Sequence, residues 1–304
     1  MTKTSQTRPT TVLITGATSG IGRHAALDLA DRGYRVFATG RNRAALAELN
    51  KDANPEFLTA LSLDVTDETS IEAAAAAIGE ATDGYGIDIL INNAGYGDLG
   101  PTELVSDRDL RRQFDTNVFG LMAVTRAFLP AMRERRSGRI INVSSIGGRV
   151  TMPMFGVYSA SKYAVEALSD ALRMEMAAFG VKVIIIEPGP INTNFTSRAM
   201  DNADKYRQPQ GPYGKVIARA EKMAAFAERT GVGPHVITRA IRKAMTSRWP
   251  RARYVAPMRG LLAVATTKIL PTRLTDFFMS RLAGFSRKAL ASGPSTLVLP
   301  ATES

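Results

Sequence analysis

Short runs of β-branched and aliphatic residues alternate with longer stretches of helical pattern along most of the chain. The predicted strands are 11–15, 34–39, 57–63, 87–91, 138–144, 181–187 and 253–257. The predicted helices between them include 20–33, 41–51, 67–82, 106–136 and 157–180. This alternation favours a parallel sheet that helices cover on both faces. We therefore expect an α/β fold with a seven-stranded, mostly parallel, doubly wound sheet.

A glycine-rich turn follows the first predicted strand, in the sequence Gly16-Ala-Thr-Ser-Gly20-Ile-Gly22, and a helical pattern comes next. Glycines let the backbone approach a pyrophosphate, whose charge is met by amides at the helix N-terminus. Strand, turn and helix together predict a dinucleotide site in a Rossmann-type domain. The spacing G-x3-G-x-G differs from the common G-x-G-x-x-G and points to one group of nucleotide folds. The alternative is a turn that needs positive φ angles and holds no ligand.

Tyr158 and Lys162 lie four residues apart, and Ser145 lies thirteen residues before the tyrosine. Positions i and i+4 of a helix share a face, so the Lys162 ammonium would lie beside the Tyr158 phenol. A nearby cation favours the phenolate, and we expect it to lower the pKa of Tyr158 from about 10 towards neutrality. A group with such a pKa works well as a general acid or base.

Six motifs, in this order and spacing, resemble the short-chain dehydrogenase/reductase family. They are Thr15-Gly16-x3-Gly20-x-Gly22, Asn92-Asn93-Ala94-Gly95, Asn117, Ser145, Tyr158-x3-Lys162 and Pro188-Gly189-x3-Thr193. The resemblance covers residues 10–195 well and is loose beyond them. Within the family, stretches 36–41 and 188–190 most resemble the branch of hydroxysteroid and retinol dehydrogenases.

The resemblance implies a set of residues that contact a nicotinamide dinucleotide. They are Gly16, Thr18, Ser19, Gly20, Ile21, Gly22, Arg41, Asp64, Val65, Asn93, Ala94, Gly95, Tyr158, Lys162, Pro188, Gly189, Ile191 and Thr193. In the family, the Asp64-Val65 pair would contact adenine and Thr193 the nicotinamide carboxamide. Asp64 could instead cap the helix that begins near Asp67.

Gly40 and Arg41 follow the second predicted strand, where NAD-selective sites place a carboxylate for the ribose 2′-hydroxyl. A carboxylate would repel a 2′-phosphate, whereas an arginine can bind one through charge-assisted hydrogen bonds. The sequence therefore predicts NADP(H) rather than NAD. The alternative is that Arg41 is a solvated residue at the start of a helix.

The resemblance also implies the catalytic set Asn117, Ser145, Tyr158 and Lys162. Tyr158 would be the general acid or base, Lys162 would lower its pKa and bind the nicotinamide ribose, and Ser145 would polarise the substrate oxygen. Asn117 would support a water that relays protons from Lys162. It could instead be a buried amide bonded only to backbone.

Composition excludes several other kinds of chemistry. The chain of 304 residues has no cysteine, which excludes disulfides, thiolate nucleophiles and cysteine-bound zinc. Its two histidines, His24 and His235, lie far apart, so we expect no metal site. Residues 1–10 are polar, and we find no run of the roughly 20 apolar residues that a membrane span needs. We expect a cytoplasmic protein, with association to a membrane surface as an additional hypothesis.

Segment 190–235 is expected to cover the substrate pocket of a domain that spans 1–257. Its apolar residues and those before Tyr158 suit a bulky hydrophobic alcohol, ketone or aldehyde, although they also suit an ordinary core. These residues are Val150, Met152, Met154, Phe155, Phe195, Met200, Tyr206, Tyr213, Met223 and Phe226. Steroid, retinoid, long-chain acyl and polyketide-like substrates all fit this description.

The C-terminal extension, 258–304, is basic and helical in pattern. Residues 200–304 hold 18 Lys and Arg against 6 Asp and Glu, whereas residues 1–199 hold 21 against 22. Three interpretations remain open: contact of 258–290 with an anionic membrane, packing on the pocket or a subunit interface, and a clamp for an anionic substrate such as a CoA thioester. Nucleic-acid binding is not expected, because no base-reading or stacking module accompanies the charge.

The sequence leaves two classes of function open. The first is an NADP(H)-dependent oxidoreductase, and the second is an NADP(H)-binding sensor or scaffold without turnover. In the family, the long helices 106–136 and 157–180 form subunit interfaces, which implies a homodimer or homotetramer.

Overall fold

The computed structural model describes residues 8–193, 195, 199, 203–206 and 213–285. Seven strands form one sheet in the order β3-β2-β1-β4-β5-β6-β7. They are β1 Thr11–Ile14, β2 Arg35–Gly40, β3 Leu58–Ser62, β4 Ile89–Asn92, β5 Gly138–Val143, β6 Val181–Pro188 and β7 Arg253–Ala256. Every neighbouring pair is parallel, so the expected doubly wound α/β fold is confirmed and its sheet is wholly parallel.

Helices cover both faces of the sheet, as the alternating pattern predicts. They are α1 Gly20–Ala30, α2 Arg43–Asp52, α3 Glu68–Ala81, α4 Asp107–Phe114, α5 Leu121–Glu134, α6 Gly156–Ala177, α7 Gly214–Thr230, α8 His235–Thr246, α9 Gly260–Ile269 and α10 Thr272–Ala283. Successive residues of a strand point to opposite faces. Val12 and Ile14 accordingly pack with α1 and α8, whereas Leu13 packs with α3 and α5. The central strands are buried on both faces, which explains their continuous apolar sequences.

The strand order reverses between β1 and β4. The chain runs from β1 outward to β3 and then returns to place β4 on the other side of β1. Ligands of such sheets bind outside the carboxyl ends of the strands at this reversal. The glycine turn follows β1 and the Asn93 segment follows β4, so both predicted motifs lie at this point.

The predicted helix over 106–136 is present from Asp107 to Glu134 and contains one irregular turn. It consists of α4, a π-helical turn over Asp115–Gly120, and α5. Turns of this kind insert one extra residue into a helix and occur frequently at functional sites. The sequence Asp-Thr-Asn-Val-Phe-Gly does not itself distinguish a π turn from an α-helix, so the helix was predicted but its π turn was not.

Helices α9 and α10 follow β7 and lie at the carboxyl edge of the sheet. A Cβ atom on Gly260 would be 3.2 Å from Cγ2 of Ile146, which follows β5. At the other end, the Nε of Arg219 in α7 donates a hydrogen bond of 3.0 Å to the carbonyl of Leu282. The extension therefore packs against both the turn after β5 and α7. Among the described residues, no helix combines the length and apolarity that crossing a membrane requires.

Candidate active site

The glycine turn after β1 is packed too closely for side chains at two positions. Gly16 has φ of 65°, and a Cβ atom there would be 2.7 Å from Cα of Ala94. A Cβ atom on Gly22 would overlap the carbonyl oxygen of Gly16 and lie 2.5 Å from Nδ2 of Asn93. The Ser19 side chain does not cap α1, so it leaves the amides of the first turn to another acceptor. This arrangement fits a dinucleotide pyrophosphate at the helix N-terminus.

The segment after β4 holds the glycine turn in place. Nδ2 of Asn93 donates hydrogen bonds of 3.0 Å to the carbonyls of both Thr15 and Gly16. Oγ1 of Thr15 accepts from the amides of Asn93 and Ala94, also at 3.0 Å. Asn92, in contrast, is buried and donates to Thr125 and Asn142 inside the domain. The two neighbouring asparagines thus have different roles: hydrogen bonds from Asn93 hold the glycine turn, whereas those from Asn92 hold the interior of the domain.

Arg41 lies at the carboxyl end of β2 and is restrained only loosely. Its Nη1 is 3.5 Å from Oδ2 of Asp64, and 62% of its side chain is exposed. Burial would raise the pKa of Asp64, but hydrogen bonds from Thr66 and the charge of Arg41 lower it overall. Asp67 caps α3 by accepting from the amide of Ser70, so the alternative role for Asp64 as the helix cap was wrong. An exposed guanidinium at the carboxyl end of β2 suits a phosphate.

Tyr158 and Lys162 lie one turn apart near the start of α6, and both are buried. Nζ of Lys162 donates a hydrogen bond of 3.0 Å to the carbonyl of Val143 and lies 6.0 Å from the centroid of the Tyr158 ring. Burial raises the pKa of Tyr158 to about 12, although a hydrogen bond with Ser145 opposes this effect. Burial also lowers the pKa of Lys162 to about 8, against the charge of Glu166.

These values correct one expectation from the sequence. Proximity to Lys162 was expected to lower the pKa of Tyr158 towards neutrality, but desolvation of the phenol raises it, and only the hydrogen bond with Ser145 opposes this rise. Tyr158 therefore carries its proton at neutral pH. In this state the phenol can donate a proton, which is the role of a general acid.

Ser145 follows β5 and precedes a single 3₁₀ turn, Ile146–Gly148. Its Oγ accepts a hydrogen bond of 3.0 Å from the amide of Gly147, which orients the side chain. The hydroxyl also bonds to Tyr158 and opposes the rise in its pKa. The neighbouring Ser144 is buried near Glu166 instead, because a Cβ atom on Gly148 would be 2.9 Å from Oγ of Ser144 and 3.0 Å from Cγ of Glu166. Only the second of the two serines lies with Tyr158, as the alternation of side chains at a strand end requires.

Asn117 lies in the π-helical turn and is buried. Its Nδ2 donates to the carbonyl of Tyr96 at 3.0 Å and to Oγ of Ser161 at 3.1 Å, while its Oδ1 accepts from the amide of Tyr96. A Cβ atom on Gly95 would be 3.1 Å from this Oδ1 and 3.6 Å from Nζ of Lys162. The amide is thus held by backbone and by Ser161, close to the lysine. Its support of a water relay stays a prediction.

A buried cluster of acids and arginines lies behind Lys162, and the sequence motifs did not reveal it. Nε of Arg253 is 2.9 Å from Oε2 of Glu166 and 3.2 Å from Oε1 of Glu187. Arg149 binds the same Oε1 of Glu187 at 2.8 Å. Burial raises the pKa of Glu166. A signal was available, because Glu166 follows Lys162 by four residues and shares its helix face.

The residues after β6 bring the remaining predicted contacts to the same edge. Pro188 ends β6, Gly189 follows it, and Ile191 is buried in a bridge with Val232. Thr193 then lies over the glycine turn, because a Cβ atom on Gly20 would be 3.5 Å from Cβ of Thr193. This geometry places Thr193 across the cleft from α1. The other predicted nucleotide contacts, Thr18, Ile21 and Val65, lie on the loops or helix after β1 and β3.

Apolar residues surround Tyr158 on the side away from Lys162. The ring of Phe195 lies 5.6 Å from the ring of Tyr158, and Leu99, Ala199 and Phe155 join the same cluster. A second cluster adjoins it and contains Leu104, Met154, Tyr206, Val216 and Ile217, with Tyr213 packed against it. Of the predicted pocket residues, Phe226 is 63% exposed and lies outside both clusters. Met200 lies outside the described residues. Within the part of the chain that the structure describes, no cluster of acids or histidines could hold a metal ion.

Comparisons with known proteins agree with this geometry. A family model for short chain dehydrogenases matches residues 10–204. The NADPH-dependent 3-dehydrocapnine reductase of Ornithobacterium rhinotracheale is 33% identical over 87% of this chain and 94% of its own length. The 3-ketodihydrosphingosine reductase of Bacteroides thetaiotaomicron is 35% identical over 89% of this chain and 96% of its own.

Two further matches add a human relative and a solved structure to the comparison. Human short-chain dehydrogenase/reductase family 9C member 7 is 36% identical over 89% of this chain and 88% of its own. A serine dehydrogenase in complex with NADP+ superposes with a TM-score of 0.69 at 31% identity, over 81% of this chain and 93% of its own. The chain therefore belongs to the short-chain dehydrogenase/reductase family.

Proposed function

We propose that this protein is an NADPH-dependent oxidoreductase that interconverts a ketone and a secondary alcohol on a hydrophobic substrate. The observation that carries the proposal is the placement of Tyr158, which is buried on α6 with Lys162 one turn away. Ser145 lies beside its ring, because a Cβ atom on Gly147 would be 3.2 Å from both Oγ of Ser145 and Cε1 of Tyr158. A protonated phenol is ready to serve reduction, whereas oxidation needs the phenolate.

The roles of the side chains follow from their positions. NADPH, when bound, supplies the hydride to the carbonyl carbon. Tyr158 gives its proton to the carbonyl oxygen, which becomes the alcohol hydroxyl. Ser145 donates a hydrogen bond to the same oxygen, and the ammonium of Lys162 stabilises the phenolate that remains.

The proposed preference for NADPH depends on the end of β2. Gly40 leaves no carboxylate where a ribose 2′-hydroxyl would need one, and Arg41 offers an exposed guanidinium. The relative from Ornithobacterium is NADPH-dependent by name, and the superposed serine dehydrogenase holds NADP+. The glycine turn and the uncapped start of α1 suit the pyrophosphate of either dinucleotide.

The substrate class is proposed from the apolar clusters beside Tyr158 and from two relatives. Phe155, Phe195 and Leu99 provide a wall suited to an aliphatic or polycyclic chain. The two bacterial relatives are reductases whose names specify a 3-keto or 3-dehydro substrate. We propose a ketone next to a long hydrophobic chain, with steroid and retinoid ketones as the other members of the test panel.

The test is oxidation of NADPH at 340 nm with a panel of long-chain 3-ketones, steroid ketones and retinal. Turnover that prefers NADPH to NADH and long-chain ketones to short ones supports the proposal. NADPH binding without turnover of any member would favour the sensor or scaffold instead. A preference for acyl thioesters would replace the ketone by the anionic substrate class that the basic extension first suggested.

We also propose that the protein is a homo-oligomer through α4, α5 and α6. Large apolar side chains are exposed on α4, on α6 and on the turn that joins α4 to α5. They are Leu110, Phe119, Tyr163 and Met174. Light scattering after size exclusion distinguishes a dimer or tetramer from a monomer. A monomeric protein would overturn this assembly. So would an oligomer whose molar mass is unchanged by Phe119→Ser.

A further inference from the structure

We propose that α9 and α10 form a docking face for an anionic lipid bilayer. This face, called the terminal face below, is defined by six large apolar side chains, each at least half exposed. They are Met258, Leu262, Ile269, Phe277, Phe278 and Leu282. The inference goes beyond the proposed reaction and does not depend on it.

The terminal face exposes large apolar side chains, which an ordinary surface helix would bury. A helix of a water-soluble domain buries its large apolar residues and exposes polar ones. In α9 and α10 the buried positions include Val264 and Ala283, whereas Ile269 is 80% and Phe278 is 55% exposed. Single exposed apolar residues are normal, but several large aromatic and aliphatic side chains exposed on two successive helices mark an interaction surface.

The charges around the terminal face select an anionic partner. Lys268, Arg273 and Arg281 are interspersed with its apolar residues, and Asp276 is the single acid of residues 258–285. The guanidinium of Arg281 lies 5.0 Å from the ring centroid of Phe277, so this arginine covers apolar surface while its charge reaches outward. Each Lys or Arg near an anionic bilayer contributes about 1 kcal/mol of attraction.

The helix lengths favour a position within the membrane interface. α9 has 10 residues and α10 has 12, and Leu270-Pro271 separates them. A span needs roughly 20 apolar residues, so neither helix can cross the hydrocarbon layer. A short helix with aromatic residues on one side and cations at its edges lies in the interface plane instead.

The terminal face also adjoins the candidate active site. Gly260 begins α9 in contact with Ile146, the residue after Ser145. Beyond α10, Phe285 packs with Tyr213 at a ring-centroid distance of 6.2 Å, and Tyr213 borders the apolar cluster of Met154 and Tyr206. A bilayer on the terminal face would therefore lie at the same edge of the protein as the apolar wall beside Tyr158.

The experiment is sedimentation of the full chain with phosphatidylcholine vesicles that contain or lack about one third phosphatidylglycerol. We expect binding to the anionic vesicles, with an affinity at least about tenfold above that for neutral ones. The double variant Phe277→Ser/Phe278→Ser and the double variant Lys268→Glu/Arg273→Glu should each lose at least about tenfold of the affinity.

Matched controls distinguish binding through the terminal face from non-specific binding to vesicles. Trp249 is 81% exposed and precedes β7, at the opposite edge of the sheet, so Trp249→Ser should bind like the unmodified protein. Arg32→Glu/Lys51→Glu reverses two exposed charges at the end of α1 and on α2, and it should also bind normally. Equal binding to neutral and anionic vesicles, or equal loss in the controls, would overturn the proposal.

A protein partner for the same face would give a different result. If a second copy or another segment of this chain covered Phe277 and Phe278, their replacement would lower the melting temperature by several degrees or change the molar mass without lipid. Either change would overturn the proposal. We expect the lipid-free double variant to keep the melting temperature and molar mass of the unmodified protein, because side chains in contact with water contribute little to stability.

Discussion

Glu166 lies one helical turn beyond Lys162 on α6, and its charge raises the pKa of the lysine that burial lowers to about 8. The carboxylate is itself held by Arg253, which also binds Glu187 and Asp170. The protonation of Lys162 is therefore linked to a charge cluster outside the family motifs. This relationship gives Glu166 a positioning role that can be tested.

Replacing Glu166 with Gln should lower the pKa of Lys162 further and move the alkaline limb of the kcat/KM profile to lower pH, by about half to one unit. The measurement is the pH dependence of ketone reduction by NADPH between pH 6 and pH 10. Asp170→Asn is the control, because Asp170 also pairs with Arg253, at 2.6 Å, but lies two turns from Lys162. An unmoved profile, or an equal shift in the control, would disprove the electrostatic link.

Replacing Tyr158 with Phe should remove the proton donor and lower kcat by about two to four orders of magnitude. NADPH binding, followed by fluorescence titration, should change little because the ring remains. Tyr163→Phe is the matched control on the same helix, since Tyr163 is 44% exposed and should leave kcat unchanged. Retained turnover in Tyr158→Phe would mean that another group supplies the proton.

Replacing Lys162 with Met should stabilise the cofactor-free protein at pH 7. Burial lowers the lysine pKa from 10.5 to about 8, so the charged form costs stability below pH 8. Above about pH 8 the folded protein no longer carries the Lys162 proton, so the cost falls as the pH rises. It reaches zero near pH 10.5, where Lys162 of the unfolded chain loses its proton too. The full shift corresponds to about 3 kcal/mol, and the unpaired carbonyl of Val143 should offset about 1 to 2 kcal/mol of it.

Urea unfolding at pH 7 and pH 10 measures this difference. The gain of Lys162→Met should shrink at the higher pH, while activity is lost at both. Lys51→Met, on the exposed side of α2, should show no comparable pH dependence. A variant that is less stable by the same amount at both pH values would show that the buried charge carries no such cost.

Replacing Gly22 with Ala should destabilise the protein by several kcal/mol or prevent folding, because its Cβ atom would overlap the carbonyl of Gly16. Gly79→Ala, inside α3, has no atom within 4 Å of the new methyl group and should stabilise by about 0.5 to 1 kcal/mol. Thermal unfolding of both variants gives the contrast. Similar melting temperatures would mean that the glycine turn can move to accept a side chain.

Replacing Arg41 with Ala should raise the KM for NADPH by about tenfold or more and leave the KM for NADH nearly unchanged. Steady-state kinetics with both cofactors gives the ratio. Arg32→Ala, an exposed arginine paired with Asp28, should leave both values as they are. An equal rise for both cofactors would indicate a structural role for Arg41.

The strands were predictable because their burial on both faces requires continuous apolar runs. The seven runs, from Thr11 onward, reappear as the seven strands with boundaries that differ by up to two residues. The proximity of Tyr158, Lys162 and Ser145 was predictable because it follows from their spacing along the sequence. Glu187 and Arg253 were not, because they meet only where β6 and β7 lie side by side. The pKa of Tyr158 was also beyond prediction, since it depends on how completely the fold excludes water from the phenol.

The π-helical turn at Asp115–Gly120 also limits how this chain can change in length. Each residue of an α-helix advances the direction of its side chain by about 100°. Deleting one residue to restore a regular helix would turn either Asn117 away from Tyr96 or Val124 and Phe128 away from the sheet. Insertions and deletions in related sequences should therefore be rare within residues 107–134 and more frequent in the exposed loop after α2.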